Sequence, residues 1–142
     1  MKPSTLQDAG RAGLYHLSVA GQPRLAEMAT EARFELLTAD LGTAHGLTAS
    51  LGELGKVLGF PAWYGTNLDA LHDCLTDPDW YPERGVVILI NGLEALRQHD
   101  PEAFSTLLAV LGSAARARSA SQSPLWILLS TTARGVASLP DA

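Results

Sequence analysis

The sequence has little cysteine and no long apolar run. Its 142 residues contain one cysteine, Cys74, which cannot form a bridge within the chain, and four scattered histidines without metal-ligand spacing. We therefore expect no disulfide, no bound metal and no other cofactor. No apolar run approaches the roughly 18 residues that a membrane helix requires, and the start, MKPSTLQDAGRAG, lacks the basic-then-apolar pattern of a signal peptide. These absences predict a cytoplasmic protein that has no contact with a membrane.

Positive charge is missing from one stretch in particular. The chain carries 10 Lys and Arg against 15 Asp and Glu, and no Lys or Arg lies between Lys56 and Arg84. The acidic residues inside that stretch are Asp69, Asp73, Asp77, Asp79 and Glu83. Because contacts to phosphate need clustered Lys and Arg, the net charge of -5 argues against direct binding of nucleic acid.

The apolar pattern predicts strands that alternate with helices. Apolar residues make up 46% of the chain, which is enough for one domain over residues 1–142. Residues 86–90 and 125–129 are almost continuously apolar, as in strands that are buried on both faces of a parallel sheet. Residues 34–37 predict a third strand. Helical patterns fill the gaps, and Asp100, Pro101 and Glu102 predict the start of a helix after residues 86–90, with an N-cap acceptor and a proline at the first position. The sequence therefore predicts an α/β layer fold with right-handed crossovers.

The two ends of the chain are patterned less clearly. Residues 14–19 predict a weaker strand and residues 23–32 a short helix, so we expect an N-terminal extension over about residues 12–32. The core of the domain is predicted over residues 33–130. The tail over residues 131–142 carries few apolar side chains, and we expect it to be loose.

A short helix near residues 67–76 has two chemically different faces. Its N-cap is Asn67, which follows a loop with a proline and a glycine. One face carries Leu68, Leu71 and Leu75, and another carries Asp69, His72, Asp73 and Thr76. Asp69, Asp73 and Asp77 are spaced four residues apart, and like charges at this spacing repel by a few tenths of a kcal/mol per pair, so this helix indicates a cation on a partner. The alternative is a merely solvated face, with Trp63 and Tyr64 as core aromatics.

The segment from Phe60 to Thr76, FPAWYGTNLDALHDCLT, resembles the signature of the barstar family. In that family a proline, two aromatics, a glycine, Asn-Leu-Asp-Ala-Leu and Asp-Cys-Leu recur in this order, and the flanking strands and the later helix also follow the family's order. The resemblance implies a barstar-like fold with a parallel sheet of three strands, to which the N-terminal extension can add a fourth. It also implies inhibition of a basic, barnase-like, guanyl-specific ribonuclease and no enzymatic activity.

The resemblance also implies roles for single residues. Asp73 matches the family's central aspartate, which enters the phosphate site of the nuclease, and Asp69 matches the aspartate one turn earlier. Trp63 stands at the position of a contact tyrosine. The partner-binding residues that the resemblance implies are Trp63, Gly65, Asn67, Asp69, His72, Asp73 and Thr76.

Two positions depart from the family's pattern. His72 stands where the best-known barstars have tryptophan, which removes apolar area and adds a titratable group near Asp69 and Asp73. Ser113 stands, by a rough alignment, where the family has a contact glutamate. These departures leave a second interpretation open, namely a barstar-fold immunity or regulatory protein that binds a different toxin or partner.

Catalysis and nucleotide binding are weaker interpretations. Asp69, His72 and Asp73 would place two carboxylates and an imidazole on one helix face, as general acid and base catalysis requires. However, that face is convex, and the sequence supplies no oriented nucleophile. The glycines around Lys56 lie in a helical pattern and are not followed by Ser or Thr, so they do not predict a P-loop.

Overall fold

The computed structural model describes residues 5–140, so that residues 1–4 of the predicted domain and residues 141–142 of the predicted tail lie outside the described residues. The helices of the described part are α1 Gln22–Ala32, α2 Gly46–Leu58, α3 Leu68–Leu75, α4 Glu94–His99 and α5 Pro101–Ala117. The strands are β1 Leu14–His16, β2 Glu35–Asp40, β3 Val86–Asn91 and β4 Leu125–Leu129. Short 3-10 turns precede β1 and α1.

All four strands form one parallel sheet in the order β1-β4-β3-β2. The predicted parallel α/β fold is therefore confirmed, and the fourth strand comes from the N-terminal extension, where Leu14 pairs with Ile127. All five residues of β4 are buried, and so are the first five residues of β3. Their continuous apolar runs follow from this central position, because side chains on both faces of the sheet are covered.

Helices cover the two faces of the sheet unequally. Helices α2 to α5 pack on one face around the alternate strand residues Ile88 and Ile127. The other face is covered by α1 through Leu25 and Met28, together with an N-terminal 3-10 turn. The larger layer carries α3 and α5 side by side, and this pairing builds the surface considered below.

Helix α5 begins as the sequence predicts. The side chain of Asp100 accepts a hydrogen bond from the backbone N–H of Ala103 at 3.1 Å, and Pro101 occupies the first turn. Such a start satisfies one of the helix's free N–H groups and presets the backbone for the first turn. The apolar stripe of α5 then lies in the core, which fixes the helix against the sheet and α3.

The tail after β4 is packed, in contrast to the loose tail that the sequence predicts. The backbone N–H of Leu139 donates to the His16 carbonyl at 2.9 Å, and the N–H of His16 donates to the Ala137 carbonyl at 2.8 Å. The Leu139 side chain is only 4% exposed and joins the core beside α1. The tail therefore covers the outer edge of β1. The few apolar residues of this segment do not predict such an interaction.

Candidate functional site

Helix α3 divides into a buried face and an exposed face, as its periodicity predicts. Asn67 caps the helix by accepting a hydrogen bond from the backbone N–H of Ala70 at 2.8 Å. Leu71 and Leu75 are fully buried against the core. The other side, called here the acidic face, consists of exposed Asp69 and Asp73 with half-buried His72 and Thr76. The buried leucines hold this face in a fixed orientation.

The carboxylates of Asp69 and Asp73 make no ion pair or hydrogen bond within residues 5–140. The ion pairs of the described part join Arg24 to Glu27, Lys56 to Glu53 and Arg84 to Glu35, all of them away from the acidic face. The cations that flank the anionic stretch in the sequence are thus engaged elsewhere. The negative charge of the acidic face remains open to an external cation.

The loop before α3 is anchored by one aromatic residue and presents another. The hydroxyl of Tyr64 donates to the Leu51 carbonyl at 2.9 Å, and its ring lies 2.6 Å from the position that a Cβ on Gly55 would occupy. Burial, and to a lesser degree Cys74, raises the pKa of Tyr64 to about 12. Trp63, in contrast, is 58% exposed. The alternative that both aromatics are core residues therefore holds for Tyr64 and fails for Trp63.

Two predicted contact residues use their side chains within the molecule. The side-chain oxygen of Asn67 caps α3, and the hydroxyl of Thr76 donates to the His72 carbonyl at 2.8 Å at the other end of the helix. Gly65 is exposed in the loop between Trp63 and Asn67. Thr76 thus closes the C-terminal end of the acidic face, and Gly65 and Asn67 lie before its N-terminal end.

His72 and Ser113, the two residues that depart from the family's pattern, are in direct contact. The Nε2 atom of His72 lies 3.2 Å from the hydroxyl oxygen of Ser113 on α5. Both residues are half-buried. The sequence identifies each residue separately, but only the packing of α3 against α5 shows that they form a pair.

Arg118, which the sequence does not single out, holds the C-terminal end of α3 and so supports the acidic face. Arg118, just after α5, is 7% exposed and donates to the carbonyls of Leu75 at 3.0 Å, Tyr81 at 3.0 Å and Ser123 at 2.9 Å. Its guanidinium also lies 5.1 Å from the ring centroid of Trp80. Burial lowers the pKa of Arg118. The guanidinium satisfies the C-terminal end of α3 and connects it to the following loop.

The first acidic residue after α3 has a different environment from Asp69 and Asp73. Asp77 lies beyond the end of the helix, where its carboxylate accepts a hydrogen bond from the backbone N–H of Asp79 at 2.8 Å. The indole of Trp80 then donates to the Leu58 carbonyl at the end of α2 at 3.0 Å. The predicted row of aspartates therefore ends at Asp73, and Asp77 belongs to a turn.

The described residues contain no cluster of three or more His, Cys, Asp or Glu side chains that could hold a metal ion. None of the helices among residues 5–140 has both the length and the apolar character that crossing a bilayer demands. The thiol of Cys74 is buried, and burial, followed by the nearby Asp73 and Asp77, raises its pKa. Such a thiol is a poor nucleophile.

The fold and this site define a class of protein: a small parallel α/β protein with an exposed, internally uncompensated acidic helix. The chain belongs to the barstar family, because the family model described as Barstar (barnase inhibitor) matches residues 34–130. The match confirms the resemblance of the motif. It includes β2 to β4, α2 to α5 and the whole acidic face, and it leaves β1 and α1 outside. No curated protein matches the chain.

Solved structures that are similar to the chain include the following two. The ORC2 protein of Aeropyrum pernix, in ADPNP-ADP complexes, gives a TM-score of 0.51 at 18% identity over 91% of this chain and 36% of that chain. Cdc6p from Pyrobaculum aerophilum gives a TM-score of 0.47 at 16% identity over 84% of this chain and 32% of that chain. The chain thus spans about a third of the length of these proteins. The first likeness concerns the fold alone, and the nucleotides belong to the ORC2 protein.

Proposed function

We propose that this protein is a cytoplasmic inhibitor that binds the active site of a basic, barnase-like ribonuclease and blocks it with the acidic face of α3. The observation that carries the proposal is the state of Asp69 and Asp73. Both carboxylates are exposed, lie one helical turn apart and have no partner within residues 5–140. Membership in the barstar family gives the class of partner.

The chemistry of such a partner matches this arrangement. A ribonuclease site holds RNA phosphates with cationic side chains, and a carboxylate can accept the same charge-assisted hydrogen bonds without being cleaved. Asp69 and Asp73 are carried by a helix whose opposite face is buried, so little conformational freedom is lost when they bind. The opposite charges of the two proteins also accelerate their encounter.

Trp63 supplies a second kind of contact beside the carboxylates. Its side chain is one of two large apolar side chains with high exposure in the described part, and Tyr64 holds the loop that carries it. An exposed tryptophan held on an anchored loop is typical of residues that contribute strongly to interfaces. We infer that Trp63 covers apolar surface next to the cationic site.

The same geometry supports binding over catalysis. Asp69, His72 and Asp73 lie on a convex helix face, where water is not excluded and no group is aimed at a reacting atom. The nitrogen Nε2 of His72 contacts Ser113 and neither aspartate. We infer that the acidic face is a contact surface and that the protein is not an enzyme.

The direct test is inhibition of barnase by the purified protein. At an equimolar ratio we expect the protein to suppress cleavage of RNA, and an Asp69→Asn, Asp73→Asn double variant, which keeps the shape and removes both charges, to lose most of this effect. Unchanged cleavage in the presence of the unmodified protein would contradict the proposal.

A second candidate function is immunity or regulation through a partner other than a barnase-like ribonuclease. It is favoured by the His72–Ser113 pair, because the surface beside the aspartates then differs from the tryptophan and glutamate of the family's pattern. Capture from the native cell on the immobilised protein, with the double Asn variant as the control resin, separates the two candidates. A small basic nuclease retained by the parent alone supports the first candidate, and any other charge-dependent partner supports the second.

A further inference from the structure

The contact between His72 and Ser113 joins two helices at the rim of the acidic face. The residues are 41 positions apart in the sequence, and their side chains lie 3.2 Å apart in the structure. Each is only partly buried, so the pair is accessible at the surface while it bridges α3 and α5. Nothing in the buried core requires a polar contact at this place, since the leucines of α3 and α5 already pack together.

The hydrogen bond has a chemical consequence for the imidazole. Whichever group donates, the Nε2 atom of His72 is occupied by the hydroxyl of Ser113. Only Nδ1 and the ring carbons remain for a partner, and the ring is restrained before a partner arrives. A restrained side chain loses less entropy on binding, so its position matters to the choice of partner.

The α5 side of this pair is uncharged. The sequence has no charged residue between Glu102 and Arg116. Val110 and Ala117 flank Ser113 on the same side of α5, since residues three and four positions apart share a helix face. Arg116, three positions after Ser113, starts on this side as well, but its guanidinium reaches back to Gly112, where it lies 3.2 Å from the position that a Cβ would occupy, with Leu14 of β1 at 3.9 Å from the same position. The surface therefore changes from acidic on α3 to uncharged around Ser113, and the His72–Ser113 pair marks the boundary.

We propose that Ser113 is a positioning residue that fixes His72, and that the pair determines specificity for a ribonuclease whose surface is cationic opposite Asp69 and Asp73 and uncharged opposite Ser113. The proposal rests on the proposed function and adds to it the chemistry of the partner's surface opposite Ser113. It makes a prediction of definite sign, because an acid placed at position 113 would face a surface that offers it no cation, and its desolvation would weaken binding.

The first test uses the free protein. Nitrogen-15 NMR of the imidazole should show a single, hydrogen-bonded state of His72 in the parent and in Ser113→Thr, which retains a hydroxyl. Ser113→Ala should shift the Nε2 resonance toward that of a solvated ring. Ser105→Ala is the matched control, since Ser105 lies on the same helix near Arg134 and away from α3. An unchanged spectrum in Ser113→Ala would show that Ser113 does not fix the ring.

The second test measures the dissociation constant, in a series at position 113, for the basic nuclease captured from the native cell. We expect Ser113→Ala to bind about three- to tenfold more weakly, as for the loss of one hydrogen bond, and Ser113→Thr to bind like the parent. Ser113→Glu should bind more weakly than Ser113→Gln, which has the same size without the charge. Tighter binding by Ser113→Glu than by Ser113→Gln would overturn the proposal, because it would reveal a cation opposite α5.

A His72→Ala, Ser113→Ala double variant completes the series. If Ser113 acts through His72, the double variant binds no more weakly than His72→Ala alone. Additive losses would mean that the two residues act independently, which contradicts the positioning role. The Asp69→Asn, Asp73→Asn variant distinguishes the two levels of inference. If it binds the captured nuclease as tightly as the parent does, the proposed function fails; if it loses affinity as expected and only the position 113 series fails, this inference alone is wrong.

Discussion

The two halves of the anionic stretch are alike in the sequence, but only the first half carries its carboxylates on a helix. In the first half, Asp69 and Asp73 project from α3 and find no partner within residues 5–140. In the second half, the Asp77 carboxylate closes a turn, and the Arg118 guanidinium contacts the Trp80 ring and the Tyr81 carbonyl. A run of acidic residues is thus not one surface, because each carboxylate acquires its role from the backbone that carries it and from the cations within its reach.

The largest effect expected from this comparison is on binding. Replacing Asp73 by Ala removes the carboxylate at the centre of the acidic face and should cost at least about 2–5 kcal/mol of affinity for barnase, since it leaves the partner's cations unpaired. The barnase–barstar pair is itself one of the complexes in which losses of this size are known. Isothermal titration or inhibition kinetics measures the loss.

The control for Asp73→Ala is Asp79→Ala in the second half, which should bind like the parent. The stability of Asp73→Ala to urea should equal that of the parent or exceed it by a few tenths of a kcal/mol, because the repulsion from Asp69 is relieved. Equal losses of affinity in both variants would show that the stretch acts as a diffuse field and that the division into halves is wrong.

The next largest effect is expected on stability, in the second half of the anionic stretch. Arg118→Met keeps much of the side chain's length and removes the donors to Leu75, Tyr81 and Ser123. Three carbonyls would lose their charged partner, so we expect a loss of about 2–4 kcal/mol in the free energy of unfolding, measured by urea titration. The free energy of unfolding of Arg118→Lys, which retains the charge but has fewer donors, should lie between those of the parent and of Arg118→Met. Near-parent stability of Arg118→Met would contradict the role of the guanidinium.

The position of Arg118 explains where prediction from the sequence stops. The strands, α5 with its Asp100 cap and the two faces of α3 follow from local periodicity and capping, and the structure confirms them. Arg118 looks in the sequence like any basic residue in a surface turn, since its three acceptors are backbone carbonyls without a sequence signal. The packed tail and the His72–Ser113 contact escaped prediction for the same reason, because both depend on pairings between distant segments.

A smaller effect on binding is expected at the edge of the acidic face. Trp63→Ala removes an exposed indole from the anchored loop and should weaken barnase binding by about 1–2 kcal/mol, less than Asp73→Ala. Tyr81→Phe in the second half keeps its ring and should leave the affinity unchanged. Surface plasmon resonance of both variants makes the comparison. An affinity of Trp63→Ala equal to that of the parent would remove Trp63 from the interface.

The smallest effect is expected on stability at high pH, through Tyr64, which anchors the loop that carries Trp63. Burial raises the pKa of Tyr64 from 10.0 to about 12, so as the pH rises the unfolded chain loses this phenol proton before the folded protein does. Stability that is present below pH 10 is therefore lost between pH 10 and 12. Tyr64→Phe should be less stable near neutral pH, because it lacks the bond to Leu51, and should lose less stability over the alkaline range. Parallel alkaline curves for Tyr64→Phe and the parent, measured by urea unfolding, would show that Tyr64 titrates as it does in the unfolded chain.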